Sequence, residues 1–202
     1  MEVFNQIYAQ NVWSTDGDGS GGGSEPANTV ALRAVLTRLV RENSIKSFID
    51  APCGACKWTR VWLEELAALG IRLKYIGIDI SEIALERAQK NLAGLEHDIE
   101  LRRADISTVR LDACDAILCR DTLQHLSLQD GVRAVQNLLT SNCRMVLLGG
   151  YLVDQPNTNI TTGGCYAINY TKPPFNLAPV AIYRELHCGR ESTKYLFEFA
   201  SA

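Results

Sequence analysis

The sequence predicts an α/β protein: a doubly wound, mostly parallel seven-stranded sheet with helices on both faces and an antiparallel C-terminal hairpin. Three observations carry that prediction. Between residues 28 and 150, short apolar runs alternate with stretches of helical periodicity. Such alternation with short joins argues parallel strands linked by right-handed helical crossovers. Three of the runs finish at an acid, namely Asp50, Asp79 and Asp105. Two late runs, 180–186 and 193–200, are joined across Cys188-Gly189 and read as a hairpin.

Taken in order, residues 1–12 hold Phe4, Ile7, Tyr8 and Val12 in a short amphipathic pattern, followed by Trp13. The Gly/Ser tract from Gly17 to Ser24 reads either as a flexible linker or as the hinge of a lid that carries Tyr8 and Trp13 over a ligand. Residues 1–27 are therefore expected to be a lid or flexible segment, and 28–202 a single domain. Glu25-Pro26 is expected to start a helix, because proline suits a first turn, and Val30, Leu32, Val35, Leu36, Leu39 and Val40 give it an apolar stripe. Strand one, Ser47 to Asp50, leads through a small-residue turn into a helix that stops at Gly70. Strand two runs to Asp79. Ser81 caps the next helix, which stops at Gly94. Strand three covers 99–104 and ends at Asp105. Strand four, Ala116 to Cys119, runs out into Arg120-Asp121-Thr122-Leu123-Gln124-His125. Ser127 and Asp130 form a capping box for the helix through Leu139. Strand five, Met145 to Leu148, is expected to break at Gly149-Gly150, and 151–179 is loop-like.

The totals set bounds. A chain of 202 residues is long enough for one domain with a sheet covered on both faces. With 20 Lys and Arg against 23 Asp and Glu, the net charge of −3 argues against a phosphate-rich partner such as nucleic acid. No apolar stretch approaches the ~20 residues of a spanning helix, so no membrane partner is expected. Nor does the N-terminus show a basic region followed by an apolar one. Seven scattered cysteines fit reduced thiols in a cytoplasmic protein.

The chemistry concentrates at Asp50-Ala51-Pro52-Cys53-Gly54-Ala55-Cys56-Lys57-Trp58. A strand feeding a tight turn and then a helix lets backbone amides approach a ligand closely. An acid at the end of the following strand, Asp79, is placed to accept hydrogen bonds from a ribose diol. Strand-end acids on one rim of a parallel sheet make a nucleoside pocket. On these residues, over roughly 28–150, the chain resembles the class I S-adenosylmethionine-dependent methyltransferases. Its Asp-Ala-Pro-Cys-Gly turn looks like that of one bacterial-type subgroup. Gly54 is kept, while Pro52 and Cys56 stand where the family's loop usually has glycine.

The resemblance implies that Asp50, Ala51, Pro52, Cys53 and Gly54 turn around the methionine moiety. It further implies that Asp79 and Ile80 hold the ribose and that Asp105 and Ile106 meet the adenine, with Trp58 and Arg120 also at the cofactor. In that family the last two strands are antiparallel and the insertion before them shapes the acceptor pocket, which makes 151–179 the expected substrate wall. The cofactor would be S-adenosyl-L-methionine, leaving S-adenosyl-L-homocysteine.

His125, just past strand four, is the candidate base, the alternative being a helix-start histidine bonded to backbone. Asp121 is a candidate acid/base beside it; no second carboxylate or histidine clusters with it in sequence, so no metal is expected. Aromatic faces can attract a sulfonium, which singles out Trp13, Trp58 and Tyr166, and Tyr8, Trp13 and Tyr166 are expected on the acceptor side. Trp58 reads equally well as packing, and His97 and His187 as surface residues. Cys53-x-x-Cys56 falls inside the cofactor turn and has no companion pair for zinc. The run Cys119-Arg120-Asp121-Thr122 lacks the Asp/Asn-Pro-Pro-Tyr pattern of methylases acting on base amino groups.

The expected function is methyl transfer to an oxygen or nitrogen of a small molecule or glycan. Two alternatives stand beside it: an NAD(P)-dependent oxidoreductase, although Gly-x-Gly-x-x-Gly is absent, and a catalytically silent cofactor-binding module.

Overall fold

The computed structural model describes residues 2–14, 19–185 and 194–200. Helix α1 (Glu2–Ala9) precedes α2 (Val30–Glu42) and β1 (Ser47–Asp50). Then α3 (Lys57–Ala68), β2 (Lys74–Asp79), α4 (Glu82–Leu92), β3 (Asp98–Arg103) and β4 (Cys114–Cys119) alternate. After α5 (Leu128–Leu139) come β5 (Cys143–Gly150), β6 (Ala181–Glu185) and β7 (Lys194–Ala200).

The strands form one sheet in the order β3-β2-β1-β4-β5-β7-β6. Strands β1 to β5 pair in parallel, and β7 enters antiparallel between β5 and β6. The strand order turns back between β1 and β4, and a crevice opens there at the carboxyl ends of an open α/β sheet.

Successive strand residues point to opposite faces, and β1 shows the consequence. Phe48 packs with Leu36, Trp62 and Leu66 in the layer covered by α2 and α3. Ile49, its neighbour, packs with Ile117, Val146 and Leu138 under α5. Helix ends follow the expected chemistry. Gly70 takes φ +74° and Ile71 N–H donates back to the Leu66 carbonyl at 2.9 Å, which closes α3. Ser81 Oγ accepts from Ala84 N–H at 3.3 Å, and Ser127 Oγ from Asp130 N–H at 3.2 Å.

Several expectations need correction. Pro26–Asn28 form a single 3-10 turn, and the α-helix starts only at Val30. Strand β3 stops at Arg103, two residues before Asp105. Strand β5 does not break at its glycines. It runs through both, because a Cβ at Gly149 would come within 3.2 Å of the Arg120 backbone and one at Gly150 within 2.8 Å of the Tyr170 ring. The small residues admit neighbours rather than end the strand.

The cysteines are not all free thiols. Cys114 and Cys143 are register partners in the β4–β5 ladder, with Cα atoms 4.7 Å apart, and are joined as a disulfide. His97 is half-buried and bonded at both ring nitrogens: Nδ1 accepts from Leu73 N–H at 3.2 Å and Nε2 meets the Leu63 carbonyl at 2.8 Å, tying α3 to the residue before β2. His187 and the Cys188-Gly189 turn lie outside the described residues. Among the described residues, no helix is long and apolar enough to cross a membrane.

Candidate active site

The crevice at the strand ends is a cavity of about 540 Å³, within the size range of small-molecule sites. Asp50, Asp79 and Asp105 all line it. Asp50 is the last residue of β1, and its Oδ2 accepts from Tyr75 Oη at 2.9 Å and Thr59 Oγ1 at 3.3 Å. Burial pushes its carboxyl up to about 7 against those two hydrogen bonds. Asp79 ends β2 and accepts the backbone N–H groups of Gly54 at 2.9 Å and Ser81 at 2.8 Å. Burial again dominates and raises it to about 6. Asp105 fixes its own loop through Oδ1, which accepts Ser107 N–H at 2.8 Å and Ser107 Oγ–H at 2.7 Å.

The turn after β1 is pinned on both sides, by Ala51 N–H to the Leu118 carbonyl at 2.8 Å and Cys53 N–H to the Ile78 carbonyl at 2.9 Å. Gly54 sits at φ +57°, where a Cβ would meet Tyr8 Oη at 2.9 Å, so this glycine is required twice over. Cys56 adopts φ +54° without being glycine, a strained conformation at the start of α3. Cys53 and Cys56 are both buried and not joined as a disulfide. Hydrogen bonding from Cys56 and burial push the Cys53 thiol well above its usual value, which opposes thiolate chemistry.

The N-terminal segment packs over this turn. Tyr8 Oη lies 3.4 Å from Ser20 Oγ, and Ser81 Oγ donates to Asn5 Oδ1 at 2.8 Å. Burial, with Asp79 nearby, lifts the Tyr8 hydroxyl above its usual range. Residues 20–24 line the cavity, and Gly22–Ser24 form a 3-10 turn. The described part of the glycine-rich tract, 19–24, is therefore packed at the cavity; 15–18 lie outside the described residues.

Beyond β4, burial works against the Arg120 charge, but Asp121 and Glu185 outweigh it and keep the guanidinium protonated. Arg120 Nε donates to both Glu185 oxygens at 3.0 Å, and Nη1 lies 3.0 Å from Asp121 Oδ2. Burial alone would raise Asp121, yet Arg120 and Lys194 hold it well below the usual carboxylate range. Asp121 is thus a fixed anion, poorly suited to donate a proton. His125 Nδ1 faces the Gly164 carbonyl at 2.7 Å. A carbonyl only accepts, so in the neutral ring Nδ1 carries the proton and Nε2 is left as a base. Burial lowers this histidine's pKa, which favours the neutral form. Trp13 covers its ring, with centroids 4.6 Å apart.

Of the residues singled out by sequence, Tyr8, Trp13, Asp50, Pro52, Cys53, Gly54, Trp58, Asp79, Ile80, Asp105, Ile106, Arg120, Asp121 and His125 meet at this cavity. Two do not. Ala51 is wholly buried beneath it. Tyr166 turns into the core under α5, where its hydroxyl would lie 3.9 Å from a Cβ at Gly131 and finds no hydrogen-bond partner. Trp58 does both jobs, lining the cavity while packing on Trp62 at 6.3 Å. Tyr151, Cys165 and Lys194 also line the wall without having been singled out. Among the described residues, no three His, Cys, Asp or Glu side chains gather as metal ligands.

Residues 48–142 match the family model of a methyltransferase domain. The whole fold is similar to that of the N-methyltransferase NodS from Bradyrhizobium japonicum WM9 in complex with S-adenosyl-L-homocysteine, with a TM-score of 0.70 at 15% identity over 98% of both chains. Magnesium protoporphyrin IX methyltransferase ChlM from Synechocystis PCC 6803, with bound S-adenosyl-L-homocysteine, aligns at a TM-score of 0.67 and 15% identity. That alignment spans 100% of this chain and 97% of the other. The mitomycin 7-O-methyltransferase MmcR gives 0.68 at 14% identity over 98% of this chain and 60% of its own. At these identities the likeness is one of fold. No curated protein matches the sequence significantly.

Proposed function

We propose that this protein moves a methyl group from S-adenosyl-L-methionine to an oxygen or nitrogen of a small molecule or glycan, a reading supported by the match of residues 48–142 to a methyltransferase domain. The observation that carries this reading is the meeting of Asp50, Asp79 and Asp105 with His125 in one cavity. The Asp-Ala-Pro-Cys-Gly turn would place the chain in a subgroup of class I methyltransferases.

The residues present fit the cofactor. Asp79, ionised above about pH 6, would accept the ribose hydroxyls with lone pairs left beyond its two backbone bonds. Asp105 keeps Oδ2 for the adenine edge, beside the apolar Ile106. Gly54 leaves the space that a side chain would fill, and Asp50, ionised above about pH 7, offers negative charge toward the methionine ammonium. When bound, the cofactor supplies a methyl group activated on a sulfonium.

The protein then aligns two reactants, which is worth ~7–11 kcal/mol in favourable cases. His125 Nε2 takes the acceptor proton. Asp121 works through its neighbours, as the fixed counter-charge of Arg120 and Lys194. The N-terminal segment, with Tyr8 and Trp13 against the cavity, acts as a lid that excludes water. A calorimetric titration with S-adenosyl-L-homocysteine against NADH tests the reading. Binding of the first alone is expected; binding of NADH alone would transfer the site to redox chemistry. Methyl release from labelled cofactor over a panel of acceptors separates an enzyme from a silent module.

A further inference from the structure

Lys194 is a buried ammonium on the cavity wall that recognition of the methyl donor does not explain. It opens β7 opposite Glu185 in the hairpin ladder. Only 8% exposed, it lines the same cavity as His125, Tyr151 and Cys165. Among the described residues Asp121 is its one ion-pair partner, with Nζ 2.5 and 2.6 Å from the two carboxylate oxygens. That carboxylate is shared. Arg120 Nη1 reaches it at 3.0 Å and Gln124 Nε2 at 3.4 Å. Arg120 is held mainly by Glu185, whereas Lys194 spends two of an ammonium's three N–H donors on Asp121. Donor capacity is therefore left at the wall where His125 presents its free Nε2. Phe4, Trp13 and Tyr151 add aromatic surface to the same cavity, which suits a flat ring.

We propose that Lys194 binds the acceptor as an oxyanion, so that the methylated group is an acidic hydroxyl on a planar ring, a phenol, rather than an amine. This rests on the methyltransferase reading above. As His125 Nε2 takes the hydroxyl proton, negative charge builds on the acceptor oxygen, and the ammonium stabilises it in a site shielded from water. The oxygen–carbon bond forms as the sulfur–carbon bond breaks, the electron pair leaves with sulfur, and the proton stays on His125. An amine acceptor gains positive charge in the same step and is repelled by Lys194.

The probe is 4-nitrophenol, whose absorbance distinguishes phenol from phenolate, added to protein saturated with S-adenosyl-L-homocysteine. Its matched amine is 4-nitroaniline. The phenol is expected to bind as phenolate at a pH below its solution pKa, and the aniline roughly tenfold more weakly or worse, in line with loss of a charged hydrogen bond. Lys194→Met removes the phenolate signal and about tenfold of the affinity while homocysteine-cofactor binding persists; Lys194→Arg keeps both. Should Lys194→Met fail to fold, Asp121→Asn tests the same point with opposite sign, because a released ammonium binds phenolate more tightly. Equal binding of phenol and aniline, phenol bound un-ionised, no phenol binding, or an unaltered signal in Lys194→Met each overturns the proposal. Failure of the wild type to bind S-adenosyl-L-homocysteine overturns the parent reading instead.

Discussion

Replacing Asp79 by asparagine tests the cofactor grip at its most exposed assumption. The wild-type carboxylate holds Gly54 N–H and Ser81 N–H at 2.9 and 2.8 Å while facing the cavity. Asparagine has one acceptor oxygen, so its amide must turn N–H groups toward one of those donors or toward the ribose. Loss of one charge-assisted bond, ~1.5–3 kcal/mol, weakens S-adenosyl-L-homocysteine binding roughly 10- to 100-fold.

The pH dependence adds a second signature. Asp79 titrates near 6 because burial penalises its charge, and ribose binding needs the carboxylate. Wild-type affinity therefore falls as pH drops below about 6, by up to tenfold per pH unit from this group. Stability runs the other way. A folded pKa raised from 3.8 to about 6 contributes stability that is full below 3.8 and is lost as pH rises through 6, a difference of ~3 kcal/mol. Calorimetric titrations and thermal unfolding of both proteins between pH 4 and 8 read the two effects as wild-type-minus-variant differences. An affinity unchanged by the substitution, with parallel pH profiles, would remove Asp79 from the cofactor site.

Three other perturbations probe the remaining parts. His125→Gln is expected to lower turnover by about 10²–10⁴ while leaving cofactor affinity within about twofold; surviving turnover means another base. Gly23→Ala would put a Cβ 2.4 Å from Asp121 Oδ2, whereas Gly21→Ala meets nothing closer than 3.7 Å. The first should unseat the N-terminal segment and weaken cofactor binding, the second should not, and equal titration curves for both variants would contradict that. Reducing Cys114–Cys143, which closes a loop of sequence separation 29, should lower unfolding stability by about 3–4 kcal/mol on a loop-entropy reckoning. Denaturant melts with and without reductant check this.

Where sequence reading succeeded, local rules and tertiary structure agreed. An acid closing an apolar run marks a strand end in a parallel sheet, so Asp50 and Asp79 were legible as the last residues of β1 and β2, and His125 as lying beyond β4; Asp105 reaches the cavity from the loop two residues past β3. Cys114 and Cys143 were not, because their meeting depends on the register between strands 29 positions apart. A signal existed for Lys194: the alternation that buries Leu196 puts it on the same face. Tyr166 misled because an aromatic in a loop carries no information about which wall it joins, and here the cavity position fell to Cys165 and Tyr151. Gly149 and Gly150 misled for a different reason. Their role is to admit Arg120 and Tyr170, a contact between distant segments.

A crystal structure of the protein grown with S-adenosyl-L-homocysteine reaches the centre of the account. It should show the ribose hydroxyls on Asp79, the adenine beside Asp105 and Ile106, and the sulfur facing the pocket that holds His125 and Lys194. Ligand density elsewhere, or an adenosyl group that contacts none of Asp50, Asp79 and Asp105, would contradict it.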